Sequence, residues 1–314
     1  MTAAALIGTW ADGLFIVDGD NRRHELPGQM VRGVARDGRG GALAIVDSHS
    51  LNRRASDGTW TTVATSEAEL ACILSVDDVI YAGTDDGAHL LRVSSDGEIH
   101  PVHGFENTPG RDSWFAGAML VNGQLLGPPL GVRSLTMTAD GSALLANIHV
   151  GGIARSTDGG SAWSPTIDIN SDVHEVRAHP RRADVVIAAA ATGLWMSRDG
   201  GATWTPEQSG LHASYCAAVA FSNDEIIVSA STDHFATQGA LYRRSLGSDD
   251  ALTRIAAGLP EWLGGIVDTG CIATLGASIA IADRGGNVYV STDEGDTWER
   301  RASGLPTPSS VIIV

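Results

Sequence analysis

The chain has 314 residues, 43% of them apolar, and a formal net charge of −16 from 21 Lys and Arg against 37 Asp and Glu. With no basic stripe to release counterions from phosphates, nucleic acid is excluded as a partner, and anionic membrane surfaces are excluded on the same ground. No apolar run is long enough to span a bilayer, and residues 1–8 lack the basic start and long apolar core of a secretion signal, so the expected compartment is the cytoplasm.

Taken in order, the chain reads as short strands joined by tight turns, which suits its 38 glycines beside only five Phe and four Tyr. Strand-like runs at 4–9, 14–18 and 22–26 come first. Apolar runs entered from loops then recur at 31–35, 70–74, 132–137, 173–178, 215–221, 269–274 and 310–314. Their spacing of roughly 40 residues is the period of four-stranded propeller blades. The repeat is clearest in the fifth blade, where 173–178 is innermost and 185–190, 193–197 and 203–207 follow outward. The opening three strands lack an innermost partner, and the run 310–314 lacks companions. Pairing the two closes the ring and leaves no open sheet edge. The predicted fold is all-β, a single seven-bladed β-propeller over 1–314. Cys72, Cys216 and Cys271 lie in small apolar runs and read as reduced core thiols rather than a disulfide framework.

Two connections break the period. The stretch 106–131 carries Arg111, Trp114 and Gly127-Pro128-Pro129, and is expected to lie over the channel mouth; a shorter one, 258–265, carries Trp262. Long loops with their own aromatics are more often functional than idle.

Three stretches supply the blade turns: Ser156, Asp158, Gly160 and Trp163; Ser197, Asp199, Gly201 and Trp204; and Ser291, Asp293, Gly295 and Trp298. The Asp caps backbone N–H groups, Gly takes the φ > 0 position and Trp packs over the bend. A worn copy runs from Ser56 to Trp60. The spacing resembles the Asp-box, or BNR, repeat of sialidase-like glycosyl hydrolase propellers. Seven blades rather than the six of sialidases bring the chain nearer to the Asp-box propellers of xyloglucanases and photosystem assembly factors. Such boxes are structural turns, so the resemblance implies a fold more than a chemistry.

Propeller topology puts the outer-to-inner and second-to-third loops on one face, around the mouth of the channel. His149, His174, Glu175, Tyr215 and Asp268 fall there and are the candidate catalytic residues; Arg32, Arg111, Trp114, Arg133, His212, His234 and Trp262 are candidates for substrate contact. Convergence of His149, His174 and His212 would suit a divalent metal, or a division into general base and electrophile, or bonds to a neighbouring blade. Arg32 and Arg133 each lie one residue into an inner strand, where the resemblance to sialidases implies an arginine cluster for a substrate carboxylate. The same resemblance implies a tyrosine nucleophile with a supporting Glu, for which Tyr215 and Glu175 are the candidates. The first expectation for function is a hydrolase or lyase acting on a small polar or carbohydrate ligand. The alternative is a non-catalytic scaffold that binds a partner at its mouth.

Overall fold

Apolar runs alternating with Gly-bearing turns fold, in a computed structural model that describes residues 4–117, 119–121, 124–126 and 130–314, into seven four-stranded antiparallel sheets. The innermost strands are Val31–Arg36, Leu70–Val76, Gly131–Met137, Val173–Ala178, Tyr215–Ser222, Ile272–Leu275 and Pro308–Ile313, and each packs beside the next around a central channel. Among the described residues, no helix is long and apolar enough to cross a membrane.

The ring closes as the sequence predicts. Pro308–Ile313 is the inner strand of the first blade and pairs with Ala5–Thr9 in the register Ala5 to Ile313, Leu6 to Ile312 and Ile7 to Val311. Its Val311 N–H also donates to Gly270 O of the seventh blade at 2.8 Å, and the Ser309 hydroxyl donates to the Val31 carbonyl of the second.

The apolar core lies between blades, not at the centre of the ring. Each strand turns alternate side chains to its two neighbours, as period-2 geometry requires. Thus Ile187 and Ala189 pack toward the sixth blade, whereas Val186, Ala188 and Ala190 pack toward the fourth. Alanines fill this strand because close sheet contact on both faces leaves room for little more.

All three complete turns form the predicted network. Gly160, Gly201 and Gly295 each donate N–H to the serine four residues earlier, and Ala162, Thr203 and Thr297 donate to the aspartate. Gly201 has φ +84° and an added Cβ there would lie 2.3 Å from the Leu145 side chain, so any other residue would be strained and crowded. Trp163 and Trp298 are core and cap their own turns. Trp204 and Trp60 are only half-buried, and their indole N–H groups reach out to Thr166 Oγ1 and Glu25 Oε2.

The hydroxyl and N–H of Thr297, with the Ser291 hydroxyl, hold the Asp293 carboxyl down to about 2. A lowered native value means stability present above the ordinary aspartate range and lost as pH falls toward the native one. The Tm of Asp293→Ala should therefore fall less steeply than that of the wild type between about pH 5 and pH 2. Parallel slopes in a pH-resolved melting series would refute the role of this turn.

The insertion before the fourth blade contains a short helical turn, His103–Glu106, a 3-10 turn, Arg111–Ser113, and a hairpin of Met119–Val121 with Gln124–Leu126. The Gly127-Pro128-Pro129 element lies outside the described residues.

Candidate functional site in the central channel

Inner strands should present a regular ladder to their partners, but near its entry end each of blades two to six carries a bulge. The pairing skips Arg32 between Val31 and Gly33, Ala71 between Leu70 and Cys72, Arg133 between Val132 and Ser134, and His174 between Val173 and Glu175. In the sixth blade it skips Ala217 and Ala218. A bulged residue leaves the ladder and its side chain is re-aimed. Arg32, Arg133 and His174 thus enter the channel from equivalent positions of three blades, around a cavity of about 1130 Å³.

The residue after the bulge has a different task. In consecutive blades, the Cys72 thiol donates to Val132 O at 3.2 Å, Ser134 Oγ accepts from Val176 N–H at 2.9 Å, and Glu175 Oε2 accepts from Val219 N–H at 2.9 Å. Glu175 Oε1 also accepts from Gly270 N–H at 3.2 Å and from the Arg177 guanidinium. Burial pushes the Glu175 carboxyl up, while Arg177 and the two N–H donors pull it back. Expected as a catalytic carboxylate, Glu175 is instead a fully engaged stitch between three blades.

Tyr215 lies half-buried against the His174 ring, with centroids 4.6 Å apart. Burial and the carboxylates of Asp268 and Asp172 raise its pKa, the opposite of what an activated phenolate needs. With Glu175 committed elsewhere, the Tyr–Glu nucleophile pair is not assembled.

The sharpest cluster includes a residue that the sequence did not single out. Asp172 follows the 3-10 turn Ile169–Ser171 in a left-handed conformation, φ 50°, which aspartate tolerates better than most residues. Its carboxylate stands between two imidazoles: His149 Nε2 is 3.4 Å from Oδ1 and His174 Nε2 is 3.7 Å from Oδ2. His174 Nδ1 is 2.7 Å from Cys216 O, which can only accept, so Nδ1 donates there and Nε2 is left facing Asp172. Burial, then the charge of Arg133, pushes His149 down to about 3 against the pull of Asp172, so this ring is neutral at pH 7. The only sequence signal for Asp172 was its place just before an inner strand whose second residue is histidine.

His234 and Asp268 also line the cavity, with Nδ1 and Oδ2 4.0 Å apart, and burial lowers the imidazole pKa. Among the channel arginines, Arg32 pairs with Asp85, Arg177 with Glu175, and Arg284 donates to His234 O, while Arg36 is exposed at the far end. Arg133, half-buried, makes no ion pair or hydrogen bond among the described residues. It lines the same cavity as His149, Asp172, Tyr215 and His234.

Four expected contact residues do not line the cavity. Arg111 pairs with Glu106, donates to the carbonyls of Gly87 and Ala88, and stacks over Trp114. Trp114 is itself buried against Phe105. These two anchor the insertion to the third and fourth blades, because a long loop needs its own small core. His212 is held by Tyr242 Oη and Gln238 O and packs on Trp262, outside the channel and away from the other two imidazoles. The cavity is lined instead by two exposed aromatics to which the sequence gave no role, Trp10 and Phe235, 44% and 61% exposed.

Fold and cavity together define a seven-bladed β-propeller with a polar, partly buried site at the channel mouth. No family model matches the chain and no curated protein matches it. Among solved structures, the GH74 enzyme of Niastella koreensis is similar with a TM-score of 0.62 at 16% identity, and the match covers 95% of this chain. This chain spans 47% of that enzyme's length. A putative 6-phosphogluconolactonase from Bacteroides fragilis has a TM-score of 0.65 at 11% identity, covering 99% of this chain and 98% of that one. YCF48 bound to a D1 peptide has 0.60 at 12%, covering 89% and 86%. Likeness at these identities shows the fold alone.

Proposed function

We propose that the channel mouth binds and transforms a small polar ligand carrying an anionic group, with a sugar acid as the class that fits best, and that the protein is a hydrolase or lyase. The observation that carries this reading is Arg133: a half-buried guanidinium with no partner among the described residues, in a channel whose other buried arginines are engaged. A planar, permanently charged fork in that position is suited to a carboxylate or phosphate. His234, kept neutral by burial and facing Asp268, is the general base of this reading, with Asp268 orienting the ring. Membership of the Asp-box propellers and a cytoplasmic location belong to the same reading; three turns of the Asp-box spacing support the first. The similar folds named as a GH74 enzyme and a putative lactonase support enzymatic use of the scaffold.

The test is a binding titration with glucuronate, galacturonate and gluconate against neutral glucose. Arg133→Ala should weaken the acids by about 1.5 to 3 kcal/mol, as for a hydrogen bond to a charged group, and leave Tm nearly unchanged because no partner is orphaned. If glucose and the acids behave alike, or Arg133→Ala binds the acids as the wild type does, the proposal fails. A second reading, a scaffold for a protein or peptide, is favoured by the exposed aromatics Trp10 and Phe235 at the cavity, since exposed apolar surface often marks contact sites. YCF48 bound to a peptide is the similar fold on that side.

A further inference from the structure

Two nitrogens and a carboxylate converge where the fold has left their inner atoms without partners. His149, Asp172 and His174 each offer one ligand atom, and these atoms all lie within 4.8 Å of one another. His174 Nε2 and Asp172 Oδ1 are buried and make no hydrogen bond, and the other ring nitrogen of His149, Nδ1, is likewise buried without one. Buried polar atoms are seldom left so, because each one unsatisfied costs its desolvation.

The seating of His174 sharpens the point. Its Nδ1 is held by the Cys216 carbonyl, so Nε2 is the nitrogen turned to a carboxylate oxygen 3.7 Å away. The separation is too long for a hydrogen bond. It is close to the roughly 3.4 Å between two ligands that each sit about 2.0 to 2.1 Å from one tetrahedral ion. The 3.4 Å gap between His149 Nε2 and Asp172 Oδ1 fits the same centre. An imidazole whose second N–H is fixed by a backbone carbonyl is the usual outer-shell arrangement of a metal-bound histidine.

We infer that His149, Asp172 and His174 bind a divalent first-row transition-metal ion, with zinc as the reference member, at the mouth of the channel. Two imidazoles and one carboxylate suit zinc and its neighbours, and disfavour magnesium and calcium, which take all-oxygen shells. Three protein ligands leave at least one position open to the channel. Arg133 lines the same cavity as these three residues and is available there to the anionic end of a ligand. As the cofactor of the proposed ligand site, the ion rests on that reading for its role, though not for its binding.

The untagged protein, stripped with EDTA, is dialysed against zinc or cobalt(II), followed by metal analysis and visible spectroscopy. About one ion per chain is expected, with cobalt absorption in the visible range. Asp172→Asn and His174→Ala should weaken binding about 100-fold or more, as loss of a ligand does. His212→Ala and His234→Ala should leave it unchanged. Asp172→Asn keeps the size and the left-handed backbone of Asp172, so it decides the matter if His174→Ala does not fold. Less than about a tenth of an equivalent bound by the wild type, or equal affinity in Asp172→Asn, overturns the site. Sugar-acid binding that persists in the stripped protein with no metal uptake sinks the metal site alone. Metal uptake with no sugar-acid binding upholds the site and sinks the reading on which its role rests.

Discussion

Deleting residues 308–314 should leave a chain that no longer melts cooperatively. The deletion removes the inner strand of the first blade, which pairs with Ala5–Thr9 on one side and bonds to the seventh and second blades. Val311, Ile312 and Ile313 are 4%, 8% and 2% exposed. Val311 and Ile313 pack toward the seventh blade and Ile312 toward the second, so one strand seals two blade interfaces. At about 1.5 to 3 kcal/mol per buried side chain, their burial alone approaches the whole stability of an ordinary domain. The exposed edge of Ala5–Thr9 would then template pairing between chains. Light scattering on heating and the loss of a sharp calorimetric peak are the readouts. Ile313→Ala provides the graded control, expected to fold and to lose about 2 to 5 kcal/mol. A truncated protein that melts as the full chain does would overturn ring closure by this strand.

Glu175→Ala should be among the most destabilising single substitutions at the channel wall, with no dependence on any ligand. It orphans the N–H groups of Val219 and Gly270 in two other blades, each at about 1 to 3 kcal/mol when left buried. Arg177 loses its partner as well, but its guanidinium reaches solvent and adds little. Glu175→Gln should be harmful too, because an amide NH₂ turned toward either N–H donor cannot accept from it. A catalytic Glu175 would behave in the opposite way, with activity abolished and Tm held. Urea denaturation of the two variants beside the wild type separates the cases.

Much of the architecture was legible before any tertiary structure. The 40-residue recurrence of apolar runs set the number of blades, since each run has to become an inner strand covered on both faces. The Ser-Asp-Gly-Trp spacing fixed three turns, because one φ > 0 glycine and one N–H-capping carboxylate satisfy a tight bend locally. Even in the third copy, where Glu294 stands in place of Gly159 and Gly200, the backbone keeps φ at +60°. The unpaired strands at the two ends of the numbering predicted that 310–314 would complete the first blade.

The site was legible only in part, and the reason is the bulge. That Arg32, Arg133 and His174 sit one residue into their inner strands was visible in the sequence. That the next residue commits its polar atoms to the neighbouring blade was not, so His174 and Glu175 looked alike although Glu175 stitches the ring. Distances between blades decide whether imidazoles meet: His149 and His174, from adjacent blades, come to 5.8 Å between ring centroids, while His212 is captured by Tyr242 of its own blade. Arg111 and Trp114 looked like a mouth lining and became the anchor of their loop, because apolar contact with Phe105 outweighs exposure. Local sequence determined strands, turns and blade count, which depend on short-range hydrogen bonding and on the period of burial. Only the closed ring determined which polar groups share one cavity, because that choice is made by side chains from different blades competing for the same partners.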